Sequence, residues 1–122
     1  MADKLIMVLV NTNPSNPQEV GPPFFQATVA AAMEYDVEVI FTGRSCELAL
    51  NGVSDKIIIQ GQSEKTLYDI IKDAHAAGVS FKVCTPTLEV WGDDFIKEVD
   101  ETVGAAYVIS ESMDDSTVTF TY

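Results

Sequence analysis

Cys46, Cys84 and His75 are the side chains of this 122-residue sequence best suited to nucleophilic or metal chemistry. Cys84 follows the strand-like Phe81-Lys82-Val83 and precedes Thr85-Pro86, a pair that reads as a helix N-cap and first helical residue. A thiol there would meet unpaired N–H groups and the positive end of a helix dipole, and both stabilise thiolate. Glu89 and the acids beyond Gly92 oppose that effect. Two readings stand side by side: a nucleophile, or a small buried hydrophobe. Cys46, Ala49, Leu50 and Val53 fall at i, i+3, i+4 and i+7, the spacing of a core stripe. The functional alternative makes Cys46 a second thiol at the same edge, resolving Cys84 or passing sulfur to it. A dithiol redox pair would need a Cα separation below about 7 Å, and it ranks last because the two cysteines follow different strands.

Other chemistries find little support. With one histidine and two separated cysteines, no zinc spacing exists and no metal site is expected. His75 sits near the end of a helical pattern, where a capping or surface role fits better than catalysis. The 11–23 loop has one glycine and neither G-x-G-x-x-G nor a P-loop, so no nucleotide cofactor is expected. Asn11, Thr12 and Asn13 could line a small polar pocket, although turn chemistry explains them equally well. Arg44, the single arginine, could hold an anion or thiolate beside Cys46, or be solvated. Trp91 reads as a packing or subunit-interface residue.

The elements that must position these residues follow from periodicity. Residues 4–10 form a continuous apolar run, the pattern of a strand covered on both faces. Asn11 to Pro23 read as a loop broken by prolines, and Phe24 to Tyr35 as a helix with a small-residue surface. Val37–Phe41 is a second strand. A short helix capped by Ser45 is expected to stop before Gly52, and Ile57-Ile58-Ile59 is a third strand within residues 56–60. Ser63 is expected to cap the clearest helix, with Glu64 in its first turn and Leu67, Ile70, Ile71 and Ala74 as its apolar stripe, closed by Gly78. Val79–Val83 is a fourth strand. Pro86–Trp91 and Asp93–Val99 read as helical turns. Ala105, Val108, Ile109 and Ser112 or Met113 keep helical spacing, although Tyr107-Val108-Ile109 is also strand-like. Thr117–Tyr122 alternate as a half-buried strand.

Strands alternating with helices imply βαβ units, hence a mostly parallel sheet with helices on both sides. Ligands of such sheets bind beyond the carboxyl ends of the strands. The 11–23 loop, the 42–46 segment and Cys84 therefore belong to one edge.

Composition bounds the rest. One domain spanning 1–122 is expected from the length. Hydrophobic residues make up 47 %, enough for a core without staples. The net charge of −12 argues against nucleic acid and anionic membranes as partners. Residues 1–61 carry −4 and residues 62–122 carry −8. The second excess is either a solvated face or a docking surface for a basic protein. No targeting segment or apolar run of spanning length is visible. Two free cysteines then suggest a reducing cytoplasm.

The segment from Gly78 to Gly92 resembles the DsrE/DsrF-like proteins, small sulfur-relay proteins that include the TusD-type subunits. The shared pattern is a Gly-Val strand, a Cys, a Ser or Thr three residues on, and a Gly eight residues after the Cys; Cys84, Thr87 and Gly92 fit it. The opening strand with its Asn/Pro loop, the Ala-rich helix, Val37–Gly43 and the terminal helix-then-strand match in order. The resemblance implies a three-layer α/β/α fold with a mostly parallel five-stranded sheet and assembly into trimers or hexamers. It also implies sulfane sulfur carried as a persulfide on Cys84 and exchanged with a sulfur-carrier protein, in the manner of TusA-like partners. Thr85 and Thr87, with Asn11 and Thr12, are candidates to line the site. The rival expectation is a non-catalytic oligomeric module of the same fold with Cys84 packed.

Overall fold

A computed structural model describes residues 3–59 and 65–122. Five strands, β1 (Lys4–Leu9), β2 (Asp36–Phe41), β3 (Ser80–Cys84), β4 (Val99–Val103) and β5 (Thr117–Thr121), form one sheet in the order β4-β3-β2-β1-β5. Every pairing is parallel. All five carboxyl ends therefore share one edge, as the sequence implies.

Four α-helices flank the sheet: α1 (Pro17–Ala32), α2 (Leu67–Ala76), α3 (Leu88–Trp91) and α4 (Ala105–Ser112). Strand alternation sorts side chains between two faces. Met7, Leu9, Val37, Val39, Phe41, Phe81 and Val83 pack beneath α1 and α2 in the main core. The Phe24, Phe41 and Phe81 rings sit 6.0–6.2 Å apart at its centre. The opposite face holds a smaller apolar cluster of Ile6, Ile40 and Val103 against Tyr107 and Val108 of α4. It also carries a buried ionic layer, in which Lys4, Lys82 and the Tyr107 hydroxyl converge on Glu38. Burial alone would push the Glu38 carboxyl up, but the hydrogen bonds from Lys4, Lys82 and Tyr107 hold it below the usual carboxylate value.

The first helix begins earlier than the prolines suggest. Asn16 caps it by accepting from the Gln18 N–H (3.1 Å), and Pro17 takes the first turn, where no N–H is needed. Pro22 and Pro23 lie inside it. The carbonyls they leave unbonded belong to the exposed first-turn residues Gln18 and Glu19. Burial of Val20, Pro23, Phe24 and Ala27 at helical spacing outweighs the breaker tendency.

Two strand expectations are corrected. Ile57–Ile59 is not in the sheet: Ile58 makes an isolated antiparallel bridge with Thr66, and Ile59 buries against α1 beside Gly21. Its β character is satisfied locally. The strand the periodicity missed is β4, at the end of a stretch expected to be a helical turn. Asp100, Glu101 and Thr102 are exposed on this edge strand, so the alternation that marks a half-buried strand is masked by charge. The strand count of five stands with one member exchanged.

Caps shift as well. Thr42, not Ser45, caps the 3-10 segment Gly43–Ala49. Thr66 caps α2 through the Asp69 N–H (3.1 Å), where Ser63 was expected; Ser63 and Glu64 lie outside the described residues.

Candidate functional site

Cys84 is the last residue of β3, second from one edge of the sheet. It is half-buried, and Val103 of β4 is its register partner. By alternation it shares the α4 face with Lys82. The expected activation through Thr85-Pro86 is corrected in detail. Cys84 itself is the cap residue, and the chain continues as a three-residue 3-10 turn, Thr85–Thr87, leading into a four-residue α3. So short a helix carries little dipole. Burial pushes the Cys84 thiol above its usual 9.0, so it rests protonated.

A different helix end lies at this edge. Gly104 follows Val103, caps α4, and has no side-chain partner of its own. Its backbone places the unpaired N–H groups of α4 directly after the strand end that pairs with Cys84. Thr85 Oγ1 approaches the same glycine, 3.9 Å from where a Cβ would stand. Thr87 Oγ1 donates to the Cys84 carbonyl (2.6 Å), which fixes the turn that follows the thiol. Gly92 ends α3 at φ 81° and ψ −166°, a backbone region open in practice only to glycine. The Cys84–Thr87–Gly92 spacing thus encodes a strand exit, a turn lock and a chain reversal.

Cys46 lies in the Gly43–Ala49 segment and is sealed in the main core. Burial pushes its thiol up to about 11, while the Thr87 hydroxyl beside it pulls the other way and Cys84 pushes in the same direction as burial. The two cysteines follow different strands, as expected, and those strands, β2 and β3, are neighbours with Phe41 opposite Val83. Thr87 links them: its hydroxyl lies beside the Cys46 thiol and donates to the Cys84 backbone carbonyl. Ala49 is buried with Cys46, while Leu50 and Val53 are only half-buried because the helical segment ends at Ala49 and the chain leaves the helix before them.

The remaining candidates divide. Trp91 Nε1 donates to Gly43 O (3.1 Å), tying α3 to the segment after β2. Between them lies a groove of about 530 Å³ lined by Arg44, Glu47, Pro86, Thr87, Val90 and Trp91. Sequence reasoning had not joined Val90 and Trp91 to Arg44. A Trp seven residues after a strand-end Cys and an Arg three residues after a strand end were the signals available. Asn11 (exposed) and Thr12 (buried) follow β1, separated from Cys84 by the whole of β2. They belong to the same edge but not to the immediate surroundings of the thiol. His75 Nε2 meets Asp100 Oδ1 at 3.1 Å and its ring stacks on Phe81, well before the carboxyl edge. Among the described residues, no three His, Cys, Asp or Glu side chains cluster as a metal site, and no helix is long and apolar enough to cross a membrane.

A parallel five-stranded α/β sheet with a thiol at a strand exit defines the class of the protein. The DsrE/DsrF-like family matches residues 4–120, and the chain belongs to it. The fold is similar to that in the crystal structure of the ychN protein from E. coli, with a TM-score of 0.74 at 14 % identity over 98 % of this chain and 99 % of that one. It is also similar to a conserved protein of unknown function, BT1422, from Bacteroides thetaiotaomicron, with a TM-score of 0.68 at 12 % identity over 98 % and 95 % of the two chains. No curated protein matches the chain.

Proposed function

We propose that the protein is a sulfur-relay carrier. The Cys84 thiolate attacks the terminal sulfane sulfur of a polysulfide or thiosulfate, breaking the donor's S–S bond and releasing the shortened polysulfide or sulfite. It holds the sulfur as Cys84-S-SH until the thiolate of a partner sulfur-carrier protein, in a reducing cytoplasm, attacks that outer sulfur and frees Cys84 as thiolate. The observation that carries this reading is Cys84 itself, half-buried at the carboxyl end of β3 and next to the glycine-capped start of α4. The burial that raises the resting thiol is compatible with the task. Thiolate exchange depends on nucleophilicity as well as on thiolate fraction, and a basic thiolate is the stronger nucleophile. The N–H groups of α4 can stabilise the anion once it forms.

Cys46 serves as a core residue in this reading, since it is fully buried and strongly protonated. Family membership supports a relay theme, and assembly with copies of the chain as a trimer or hexamer is what the resemblance of the Cys84 segment implies. The proposed exchange needs no cofactor and no metal. The test is incubation with polysulfide or thiosulfate followed by intact-mass measurement under non-reducing conditions. A species one sulfur atom heavier is expected, and it should revert on addition of a thiol acceptor. Failure to gain sulfur under any donor would leave the packed, non-catalytic module as the better account.

A further inference from the structure

We propose that β5 is the contact through which two copies of this chain join, edge to edge and antiparallel, into one continuous sheet. This contact concerns assembly and is independent of the sulfur chemistry. It rests first on the contrast between the two sheet edges. A free edge strand is a template for pairing, and natural edges are guarded by charge, proline or bulges. The β4 edge is guarded: it carries Asp100 and Glu101, and its register slips between Phe81 and Lys82. The β5 edge reads Thr-Val-Thr-Phe-Thr, with no charge, no proline and an unbroken register against β1. On a chain of net charge −12, copies repel over most of their surface, and an uncharged edge is where they can meet.

The second observation is the sheet face beside that edge. Leu5 pairs with Val118 and Met7 with Phe120, so these four side chains share the α1 face. Met7 is fully buried and Leu5 half-buried, whereas Val118 and Phe120 remain 42 % and 45 % exposed. They form one wall of an apolar groove of about 520 Å³, and Phe25, Val29, Met33 and Tyr35 form the other. No element of the chain among the described residues fills it.

Antiparallel pairing of β5 with its copy closes this groove from both sides. The two β1 strands would then stand three strand spacings apart, about 14 Å. The stretch between them holds both β5 strands and the apolar face that each copy leaves uncovered. Val29, Met33 and Tyr35 of each copy are the side chains that reach into that gap over the paired Val118 and Phe120. A second copy satisfies the free backbone groups and the apolar face together; an apolar small molecule would leave the edge unpaired. A two-fold contact also selects even-numbered assemblies, so of the trimer and hexamer that the family resemblance implies it admits only the hexamer.

Light-scattering mass in solution tests the proposal with Thr119→Lys, which charges the edge, and Phe120→Lys, which charges the groove. Native protein should be an even-numbered oligomer, and both variants should fall to half its mass or lower. Amide hydrogen exchange on the native protein provides a measure that needs no variant, and the β5 amides should be as protected as those of β1. Three results would overturn the proposal. They are a monomeric or odd-numbered native protein, an unchanged mass in both variants, and fast exchange along β5. Loss of mass only when the α4 surface is charged, as in Ile109→Lys, would place the contact on the other face and refute it equally.

Discussion

Replacing Glu38 with glutamine removes one negative charge from the layer between the sheet and α4 while keeping the side chain's size and one acceptor oxygen. Three donors converge on that carboxylate: Lys4 Nζ, Lys82 Nζ at 3.0 Å and Tyr107 Oη at 2.8 Å. The side chains of Glu38, Lys4 and Lys82 are only 6 %, 15 % and 11 % exposed. Removing one member of a buried pair typically costs about 3–5 kcal/mol because the other charge is left without compensation. Here Glu111 and Glu101 still reach Lys4 and Lys82, but both are substantially more exposed. The expected loss is therefore somewhat smaller, about 2–4 kcal/mol at neutral pH. Urea denaturation of the native protein and Glu38→Gln measures it directly.

The pH dependence supplies an internal control. The folded Glu38 pKa lies below its ordinary value of 4.5, so its contribution is present above that value and is lost as pH falls through the lowered folded pKa. The native and Glu38→Gln stabilities should converge in strong acid. Equal stabilities at neutral pH, or a gap that persists undiminished in acid, would refute the assignment of this layer as an ionic support for α4.

Three further outcomes are expected at the site and in the core. Alkylation of native protein should modify Cys84 far faster than Cys46, and its rate should rise about tenfold per pH unit from neutrality to about pH 9, since the thiol is raised above 9.0; a plateau near neutrality would contradict the burial argument. Gly92→Ala should lower stability by about 1–3 kcal/mol through backbone strain alone, because nothing stands within 4 Å of the added Cβ; thermal denaturation checks this. Phe81→Ala removes the ring at the centre of the three-phenylalanine cluster and should cost about 3–5 kcal/mol by urea denaturation.

Much of this architecture is legible in the residues. Strands flanked on both faces such as β1 read as continuous apolar runs, and the stripe Leu67, Ile70, Ile71 and Ala74 marks α2 without ambiguity. The position of Cys84 follows from the same logic, since a strand in a parallel sheet must deliver its last residue to the ligand edge. What sequence alone hides are elements whose local signal opposes their tertiary role. Charged β4 looks like a solvated turn because its partner contacts lie on one side only. Ile57–Ile59 looks like a sheet strand but finds a single bridge to Thr66. Pro22 and Pro23 look like helix breakers, yet their missing donors fall opposite solvent-facing carbonyls. The cap on α4 lacks a side-chain signature because it is glycine, so the N–H groups near Cys84 become visible only once Val103 and Cys84 are seen in register.

The central claim is that Cys84 is the residue that carries sulfur. Its most direct test is peptide-level mass mapping of native protein and Cys84→Ser after exposure to polysulfide, with free thiols and persulfides trapped by alkylation. An additional sulfur is expected on the peptide holding Cys84, none on that holding Cys46, and no persulfide in Cys84→Ser. Sulfur found on Cys46, or retained by Cys84→Ser, would contradict the claim.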